Sequence, residues 1–520
     1  MSSSSTPAAP APSSGLTKVE QAKADLCGLD LQPQLAELAA AGWDSLDEAT
    51  LTIRLKWMGI FFRPVAPGRF MLRLRLPNGV VSAEQLVLLA EAVDRCGEHG
   101  SADITTRQNL QLRGLLFEDM APLLEAMERV GLTSRQSGHD NPRNITGNPL
   151  AGIDPEEIVD TRPLVQAIQA RLFQPDGPRT RNLPRKFNVA VGGAPDSFLL
   201  HNDLAFLPAH HAGELGFTVM VGGFFSAQRN ELAIPLGLWL RADQLPDFAL
   251  TVLLHFEQNG NRKLRNKSRL MYLIDDLGLE TYRDTIKAAY GALAGGEAMA
   301  SLQPHDGTHL VTRAPRDGLG WNAQAQEGLG WMGLHVPMGR LDAEGMLALA
   351  GLARQYGSGE LRLTEAQNAL IVNVPEASQE ALLAEPLLQR FRPDPGHLQA
   401  EAVSCTGNAY CSFALIPTKS TAQELVEELE RRVELPHGVR THWTGCPNAC
   451  GQPYMGQIGL MGAKTRKDGE MVEAVKIFLG GSMDADPRLA ELHDKGVPLS
   501  DLPDVMEQLL VDRFGARRRE

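Results

Sequence analysis

The second half of this chain repeats landmarks of the first half at a nearly constant distance along the sequence. Four pairs of short motifs recur: Thr105-Thr-Arg-Gln-Asn109 and Thr364-Glu-Ala-Gln-Asn368, Thr146-Gly-Asn148 and Thr406-Gly-Asn408, Arg179-Thr180 and Arg440-Thr441, and Gly222-Gly223 and Gly480-Gly481. Their offsets all lie between 258 and 261 residues, which coincidence among common dipeptides explains poorly. The chain is therefore predicted to contain two copies of one α/β unit of about 260 residues, related by pseudo-twofold symmetry.

Hydrophobic periodicity alternates between that of strands and that of helices in both halves. In the first half the predicted order is strand, helix, strand, helix: Arg69–Leu76, Ala83–Cys96, Ala102–Leu115 and Met120–Val130. In the second half a helix, a strand and a helix are predicted: Leu341–Tyr356, Glu360–Val374 and Ser378–Phe391. This order is typical of α/β and α+β domains. The longest apolar stretches, Gly216–Phe225 and Asp247–Phe256, are too short to span a membrane.

Composition excludes several classes of protein. Of the 520 residues, 43% are hydrophobic and 22% are charged, as in globular domains rather than disordered or fibrous chains. The formal net charge of −13 disfavours a general nucleic-acid binder, which needs clustered cations. Residues 1–14 are mostly Ser, Pro and Ala, which predicts a disordered tail. Because that tail resembles neither a secretory signal nor an arginine-rich transit peptide, we expect a bacterial cytoplasmic protein rather than one of an organelle stroma.

Four of the six cysteines fall in one short region. The pattern is Cys405-x5-Cys411 followed by Cys446-x3-Cys450, and each pair lies in a turn rich in Gly, Asn or Pro. Four thiolates suit either zinc or a 4Fe–4S cluster. The spacing of the first pair is wider than zinc knuckles use, which favours the cluster. A zinc site and four unrelated buried thiols remain as alternatives.

Cations concentrate around the landmarks of the first half, whereas the second half carries the cysteines. The residues are Arg107, Arg113, Arg143, Arg179, Arg181, Arg185 and Lys186. Because the planar guanidinium of arginine binds a carboxylate at two points, this half suits an anionic ligand. Pockets often form where symmetric halves meet, so we expect the site at that interface. A further cationic run, Arg262–Arg269, is either a solvated face or a docking surface.

Taken together, these motifs resemble the sirohaem and 4Fe–4S nitrite and sulfite reductase family. The resemblance rests on the cysteine pattern with Thr444-Gly-Cys-Pro-Asn-Ala-Cys-Gly451, on Thr105-Thr-Arg-Gln-Asn-Leu-Gln111 and on Asn182-Leu-Pro-Arg-Lys-Phe-Asn188. It covers nearly the whole chain after the tail. It implies that Cys405, Cys411, Cys446 and Cys450 bind the cluster, and that Cys450 is also the axial ligand of the sirohaem iron. Sirohaem would then lie between the halves, coupled to the cluster through one shared thiolate.

The resemblance also implies roles for the cations. Arg113, Arg179, Arg181 and Arg185 would bind the cofactor carboxylates, and Arg107, Arg143, Lys186 and Asn188 would hold the substrate. Family members that reduce sulfite usually carry Lys-x-Lys where this chain reads Lys186-Phe187-Asn188, and those that reduce nitrite usually carry Lys-x-Asn. A neutral amide lowers the charge of the site, which suits monoanionic nitrite better than dianionic sulfite.

The expected activity is therefore assimilatory six-electron reduction of nitrite to ammonium. A ferredoxin-dependent sulfite reductase and a zinc-stapled, non-catalytic binding protein remain as alternatives. No glycine-rich dinucleotide motif is evident, so the expected electron donor is reduced ferredoxin. An acidic ferredoxin needs a basic landing patch, for which Arg262–Arg269 and Arg517–Arg519 are candidates. We expect a monomer.

The expected fold is α/β (α+β), an internally duplicated sirohaem-reductase fold. Two ferredoxin-like half-domains, at 15–130 and 307–395, are expected to pair with each other. Two α/β domains are expected to bind the cofactors: a cation-rich sirohaem-binding domain at 131–306 and a domain at 396–520 that binds both the cluster and sirohaem.

Overall fold

The computed structural model describes residues 16–174 and 180–520. The expectations for the tail at 1–14 and for Arg179 lie outside the described residues. Helices and strands are interspersed throughout those two ranges, as the α/β expectation requires. No helix in them is long and apolar enough to cross a membrane.

Two five-stranded sheets are each built from both halves of the chain. In the first sheet the strands lie in the order Ile60–Phe62, Phe70–Arg73, Asn109–Leu115, Ser101–Thr105 and Arg340–Leu341. In the second the order is Gly320–Ala323, Leu329–Leu334, Ala369–Pro375, Glu360–Leu363 and Val80–Ser82. The last strand of each sheet comes from the other half, so that Arg340 pairs with Asp103 and Glu360 with Ser82. This reciprocal exchange joins the two matching units.

Two equivalent helices, Ala83–Asp94 and Ala343–Tyr356, pack against each other between these units. Each begins at a side-chain cap: the Ser82 hydroxyl accepts from the amide of the third helical residue, and the Asp342 carboxylate does the same. A cap of this kind contributes about 1 kcal/mol to helix stability. The buried faces of both helices join one hydrophobic core that includes both sheets and the helix Met120–Arg129. The pair of units therefore folds around a shared core.

Two tight turns, Thr105–Asn109 and Thr364–Asn368, interrupt what the sequence predicts as single strands. The predictions of one strand over 102–115 and one over 360–374 are wrong, because each segment is a hairpin. Gln108 and Gln367 have φ values of 50° and 67°, outside the range of a strand. The turn residues are mostly polar, but the apolar residues on both sides of the first turn, Ile104, Leu110 and Leu112, keep the same alternation, so periodicity alone joins its two strands into one.

The helix expected over Ser378–Phe391 is also shorter than predicted. It comprises Gln379–Leu383, and a separate 3-10 turn follows at Pro386–Gln389. A proline lacks the amide hydrogen that a continuing helix needs and clashes with the preceding turn, so Pro386 ends the helical segment.

The two remaining large sheets match each other in topology. The strands of the first lie in the order Gln303–Pro304, Ile234–Leu240, Glu214–Val221, Leu204–His211, Val189–Val191 and Thr146–Gly147. Those of the second lie in the order Ala402–Ser404, Thr441–Thr444, Ile458–Lys467, Glu470–Leu479 and Glu491–Pro498. In both sheets the two pairings at one end are parallel and the others are antiparallel. The parallel end is that of Thr146–Gly147 in the first sheet and that of Ala402–Ser404 in the second. The duplication therefore extends over these domains as well.

Helices cover both of these sheets. Those of the first are Arg162–Leu172, Leu245–Asn259, Leu270–Leu277 and Leu279–Ala294, and those of the second are Thr418–Arg432 and Leu502–Phe514. The two apolar stretches seen in the sequence fall in the strand Glu214–Val221 and the helix Leu245–Asn259, and both are largely buried. Each sheet forms a hydrophobic core with its own helices. The exact domain boundaries stay predictions.

Asp103 joins the two halves through a buried ionic network. Its carboxylate accepts hydrogen bonds from Arg113 (2.7 Å), Arg340 (2.9 Å) and the Thr406 hydroxyl (3.2 Å), and Lys419 lies at 3.6 Å. Burial alone would raise the pKa of Asp103, but the charges of these cations outweigh it and hold that pKa far below its usual range. Asp103 thus connects the first sheet to an exchanged strand and to the loop after Cys405.

We expect Asp103→Asn to lower the free energy of unfolding by about 3–5 kcal/mol, because it leaves buried cations without their partner. Since folding lowers the pKa of Asp103, its contribution is fully present above roughly pH 4 and is lost as the pH falls further. Urea denaturation followed by circular dichroism measures the difference. Asp276→Asn, at an exposed position, is the control. Equal denaturation midpoints for wild type and Asp103→Asn would contradict this role.

Candidate active site

The two motif turns meet where the halves of the chain join. Gln367 Nε2 donates to the carbonyl of Ile104 in the other half (2.8 Å) and to that of Ser404 (3.0 Å). Gln108 makes the equivalent contact in the first half, donating to the carbonyl of Gly147 (2.8 Å). Each glutamine therefore fixes its own turn against the terminal strand of the neighbouring large sheet.

Cys405 and Cys446 follow two parallel strands, Ala402–Ser404 and Thr441–Thr444, at the same edge of their sheet. The Cys405 sulfur accepts a hydrogen bond from the Gly445 amide (3.2 Å) and lies 3.6 Å from the Thr418 hydroxyl. Donors aimed at a sulfur stabilise an anionic thiolate. Sequence reasoning missed Gly445 and Thr418 as partners, although Gly445 lies inside the motif that carries the family resemblance.

The four cysteines of the motif influence one another electrostatically. Burial, together with the charges of Cys450, Cys411 and Cys405, raises the pKa of Cys446 to about 12. Burial also raises the pKa of Cys405. These mutual effects place the four sulfur atoms in one neighbourhood. Thiols that ionise so poorly become thiolates when they bind a metal.

This donor set suits a multi-iron cluster better than a single ion. Among residues 16–174 and 180–520, no group of three or more His, Cys, Asp or Glu side chains surrounds a point that could hold one metal ion. A structural zinc ion needs four donors about 2.0–2.3 Å from one point. A 4Fe–4S cluster instead takes four cysteine thiolates that approach it from different sides. The four cysteines supply the number and kind of ligands that such a cluster takes.

We infer that three of the residues expected at the substrate, Arg107, Arg143 and Lys186, line one cavity, because the charge of Arg107 acts on Arg143 and that of Arg143 acts on Lys186. They lie deep in the protein, yet part of each side chain stays accessible. Burial lowers the pKa of Arg107 to about 10 and the pKa values of Arg143 and Lys186 well below their usual ranges. Within the described ranges, the Lys186 ammonium has neither a hydrogen-bond nor an ion-pair partner. Enclosed cations without partners are costly, so the cavity is suited to an anion.

Local backbone contacts explain how these residues come together. The Arg143 amide donates to the Phe187 carbonyl (2.7 Å), so the segments around 143 and 187 run side by side. Asn188 follows directly, and its side-chain oxygen is buried without a partner. Arg107 enters from the first-half turn, held by the Asn202 side chain (2.8 Å).

Cys450 is close both to another thiol of the motif and to the cations of the cavity. Its charge acts on Cys446 and also on Arg73, Arg107 and Lys186, and its carbonyl accepts a hydrogen bond from the Thr106 hydroxyl, beside Arg107 (3.4 Å). Its side chain is exposed, unlike that of Cys446. A thiolate in this place can contact both a cluster and a ligand in the cavity.

Arg63 and Arg73 extend the cationic lining, and sequence reasoning missed both. Burial lowers their pKa values to about 10, and the charge of Cys450 acts on each. They lie just after the strand Ile60–Phe62 and at the end of Phe70–Arg73. Cations in excess of carboxylates suit a polycarboxylate macrocycle, so the residues present fit sirohaem.

The structure gives Arg113 and Arg185 different surroundings. Arg113 is fully buried, pairs with Asp103 and stacks on the Tyr410 ring at 4.7 Å, although its Nη1 has no partner. Arg185 stays partly accessible at the cavity, 4.0 Å from Asp140, and burial lowers its pKa to about 10. Arg185 is therefore placed to reach a cofactor carboxylate, whereas most of the Arg113 guanidinium serves the ionic network between the halves.

Arg181 is not brought to the cation-lined cavity. Its side chain is exposed and lines a separate cavity of about 200 Å³ together with Cys27 and Trp57. The chain direction explains this, because Arg181 precedes the segment that enters the site at Arg185.

The cationic run at 262–269 is largely engaged inside the protein. Its three ion pairs are Arg262 with Glu20 (2.8 Å), Arg265 with Asp140 (2.9 Å) and Arg269 with Asp203 (2.6 Å). Buried carboxylates thus occupy the arginines that were expected to form a landing patch, and Lys263 and Lys267 remain as its exposed cations. The run supports the fold more than it offers a docking surface.

Comparisons with known proteins agree with this geometry. The model of the nitrite and sulphite reductase 4Fe–4S domain matches residues 138–292 and 398–513, and that of the nitrite/sulfite reductase ferredoxin-like half domain matches residues 64–130 and 322–388. The ferredoxin–nitrite reductase of Synechococcus elongatus is 50% identical over 97% of this chain and 98% of its own length. The chloroplastic ferredoxin–nitrite reductase of Zea mays is 44% identical over 97% of this chain and 91% of its own length.

A solved structure shows the same architecture. The Mycobacterium tuberculosis NirA protein superposes with a TM-score of 0.88 at 27% identity, covering 97% of this chain and 95% of that one. Both family models match twice, once in each half, which confirms the duplicated fold predicted from the repeat. The chain therefore belongs to the nitrite and sulphite reductase family that carries the 4Fe–4S domain.

Proposed function

We propose that this protein catalyses the six-electron reduction of nitrite to ammonium with reduced ferredoxin as electron donor. The observation that carries the proposal is that the charge of Cys450 acts both on another thiol of the motif and on the cations of the cavity. The curated relatives that match almost the whole chain are named ferredoxin–nitrite reductases, which supports nitrite over sulfite. We further propose that the protein is a cytoplasmic monomer.

In this proposal, the four cysteines of the motif hold a 4Fe–4S cluster and Cys450 also faces sirohaem. Arg63, Arg73 and Arg185 bind the carboxylates of the macrocycle, since they line the cavity without strong carboxylate partners. The two groups together supply one-electron transfer to the bound anion. The chain itself supplies the orientation of the anion, the charge that holds it and the exclusion of bulk water.

Arg107, Arg143 and Lys186 bind nitrite through their positive charges. Because burial lowers the pKa of each, an incoming anion stabilises their charged forms and gains from the low dielectric of the cavity. Asn188 donates its side-chain amide N–H to the same anion without adding charge. Pre-oriented donors of this kind contribute most where charge develops during the reaction.

The decisive experiment is anaerobic turnover of nitrite and of sulfite by the purified protein with reduced ferredoxin, together with iron, sulfide and haem analysis. We expect faster turnover of nitrite and a visible spectrum with haem bands. Faster turnover of sulfite would support the sulfite reductase alternative. A colourless protein that binds zinc would support the non-catalytic one.

We expect Asn188→Lys to raise the ratio of kcat/KM for sulfite to that for nitrite by at least about tenfold. An added cation in a cavity of low dielectric favours the anion of higher charge by a few kcal/mol. Steady-state kinetics with both anions measures the ratio. Asn266→Lys, which adds the same charge at an exposed position, is the control. An unchanged ratio in Asn188→Lys would show that position 188 does not select the substrate.

A further inference from the structure

Glu365 is a carboxylate on the second-half turn, at the junction of the two halves. It lies between the strands Glu360–Leu363 and Ala369–Pro375, two residues before Gln367. Because Gln367 donates to the Ile104 carbonyl at the end of the first-half strand, the two motif turns adjoin. The first-half turn carries Arg107, and the second-half turn carries Glu365. The duplication has therefore placed an acid opposite a cation at one end of the cavity.

The surroundings of Glu365 differ from those of the other buried acids in this region. Asp103, Asp140 and Asp203 each pair with an arginine. Glu365 forms no ion pair with any residue in the described ranges, and its Oε1 is buried without a hydrogen-bond partner. The rest of its side chain stays partly accessible, as do the cations that line the cavity. Among the described residues, the fold therefore gives this carboxyl no cationic ion-pair partner of the kind that the three aspartates have.

Two groups act on Glu365 from the elements packed against it. They are the charge of Arg107, on the first-half turn, and the hydroxyl of Thr146, on the terminal strand of the first large sheet. Burial raises the pKa of Glu365 to about 7, and these two groups only partly oppose that rise. A carboxyl that keeps its proton near neutral pH, and whose anion is stabilised by an adjacent guanidinium, has the properties of a general acid.

We propose that Glu365 is the proton reservoir at the Arg107 end of the cavity. It gives a proton toward the anion held by Arg107 and then regains one from solvent, so that it is unchanged after each transfer. The inference rests on the proposed function, in which nitrite, six electrons from ferredoxin and eight protons yield ammonium and two water molecules. Each transfer leaves a carboxylate beside Arg107, whose charge limits the cost of that state.

The chain contains a matched control at Glu157. Burial raises the pKa of this carboxyl to about 7 as well. Both oxygens of Glu157, however, accept from the Gly152 amide (2.9 and 2.8 Å), and Arg107 is not among the groups that act on it. Glu157→Gln thus removes a comparable acid that has a structural partner and lies outside the proposed route.

The first test is the pH dependence of nitrite turnover by the holoenzyme with saturating ferredoxin. Loss of a general acid lowers rates by about 10²–10⁴-fold, so we expect Glu365→Gln to lower kcat at least about 100-fold with little change in KM. We also expect it to abolish the fall of kcat as the pH rises through about 7. Glu365→Asp should restore part of kcat, and Glu157→Gln should behave as wild type. Wild-type kcat and pH dependence in Glu365→Gln would overturn the inference, as would a rise in KM alone.

The second test does not depend on turnover. Infrared difference spectra of the resting protein across pH 6 to 8 should show a protonated carboxyl band that disappears as the pH rises through about 7. We expect the band to persist in Glu157→Gln, with a smaller amplitude, and the component assigned to Glu365 to be absent in Glu365→Gln. If wild type carries that component but reduces no nitrite, the proposed function fails and the titration of Glu365 stands. If the component is missing and nitrite is reduced normally, the inference about Glu365 fails alone.

Discussion

Replacing Lys186 with glutamine is expected to lower kcat/KM for nitrite by about 10²–10³-fold. One pre-oriented donor at the point where negative charge develops typically contributes that much to the rate. Lys186 is enclosed, partly accessible and without a partner in the described ranges, so its charge is available to the anion. Glutamine keeps most of the volume and a hydrogen-bond donor but removes the charge. Steady-state kinetics with reduced ferredoxin measures the change.

The control for this variant is Lys263→Gln, which removes the same charge from an exposed side chain. We expect it to keep wild-type kcat/KM at moderate salt, where exposed charges are screened within about 8–10 Å. The visible spectrum of Lys186→Gln should match that of wild type, so that loss of a cofactor does not explain a loss of rate. Wild-type kinetics in Lys186→Gln would remove this residue from the substrate site.

Sequence predicted the parts of the fold and site that depend on local motifs. The repeat predicted the duplication, and the local composition predicted turns around Cys405 and Cys446. In the structure these two cysteines follow parallel strands. Lys186 and Asn188 were identifiable because they lie in one short motif that the backbone around Arg143 holds in place. Such residues need no long-range information, since the motif itself carries their arrangement.

Other features depended on contacts between distant segments and were missed or misread. Arg63 and Arg73 belong to an ordinary strand region, and only the packing of that sheet against the cysteine domain turns them toward Cys450. Glu365 lies in a motif that served only as evidence of the repeat. Arg107, whose charge acts on Glu365, lies in the other half of the chain. Arg265 looked solvated because its partner, Asp140, is far away in sequence. Charge patterns along a chain do not show which cations already have partners.

The exchanged strands show the same limit at the level of the fold. Val80–Ser82 and Arg340–Leu341 are too short to stand out by periodicity, yet each completes the sheet of the other half. The shared core includes both sheets, and the pairing of the two half-domains within the bounds given from the sequence stays a prediction. The reciprocal exchange of strands, anchored by Asp103, depends on contacts between distant segments, so the sequence alone did not reveal it.

Replacing Cys446 with serine is expected to lower the iron content per chain at least about tenfold. Mutation of residues that only contact the ligands of a metal typically lowers the affinity for the metal 10–100-fold. Loss of a ligand should cost at least as much, because serine offers a harder, less acidic oxygen in place of a thiolate. The Cys446 side chain is nearly buried at the end of its strand, so no nearby cysteine can take its place without moving that strand. Iron and acid-labile sulfide analysis of protein purified without oxygen measures the loss.

The control is Cys27→Ser, which removes a thiol of intermediate exposure that lies beside a different cavity. It should keep full iron content and nitrite turnover. Circular dichroism of Cys446→Ser should retain the helical signal, because none of the four cysteines belongs to the hydrophobic cores of the described residues. Thermal unfolding should nevertheless shift to lower temperature, since ligand binding to the native state adds to stability. Full iron content in Cys446→Ser would mean that this cysteine is no ligand, and the four-cysteine centre on which the proposed electron path depends would be untenable.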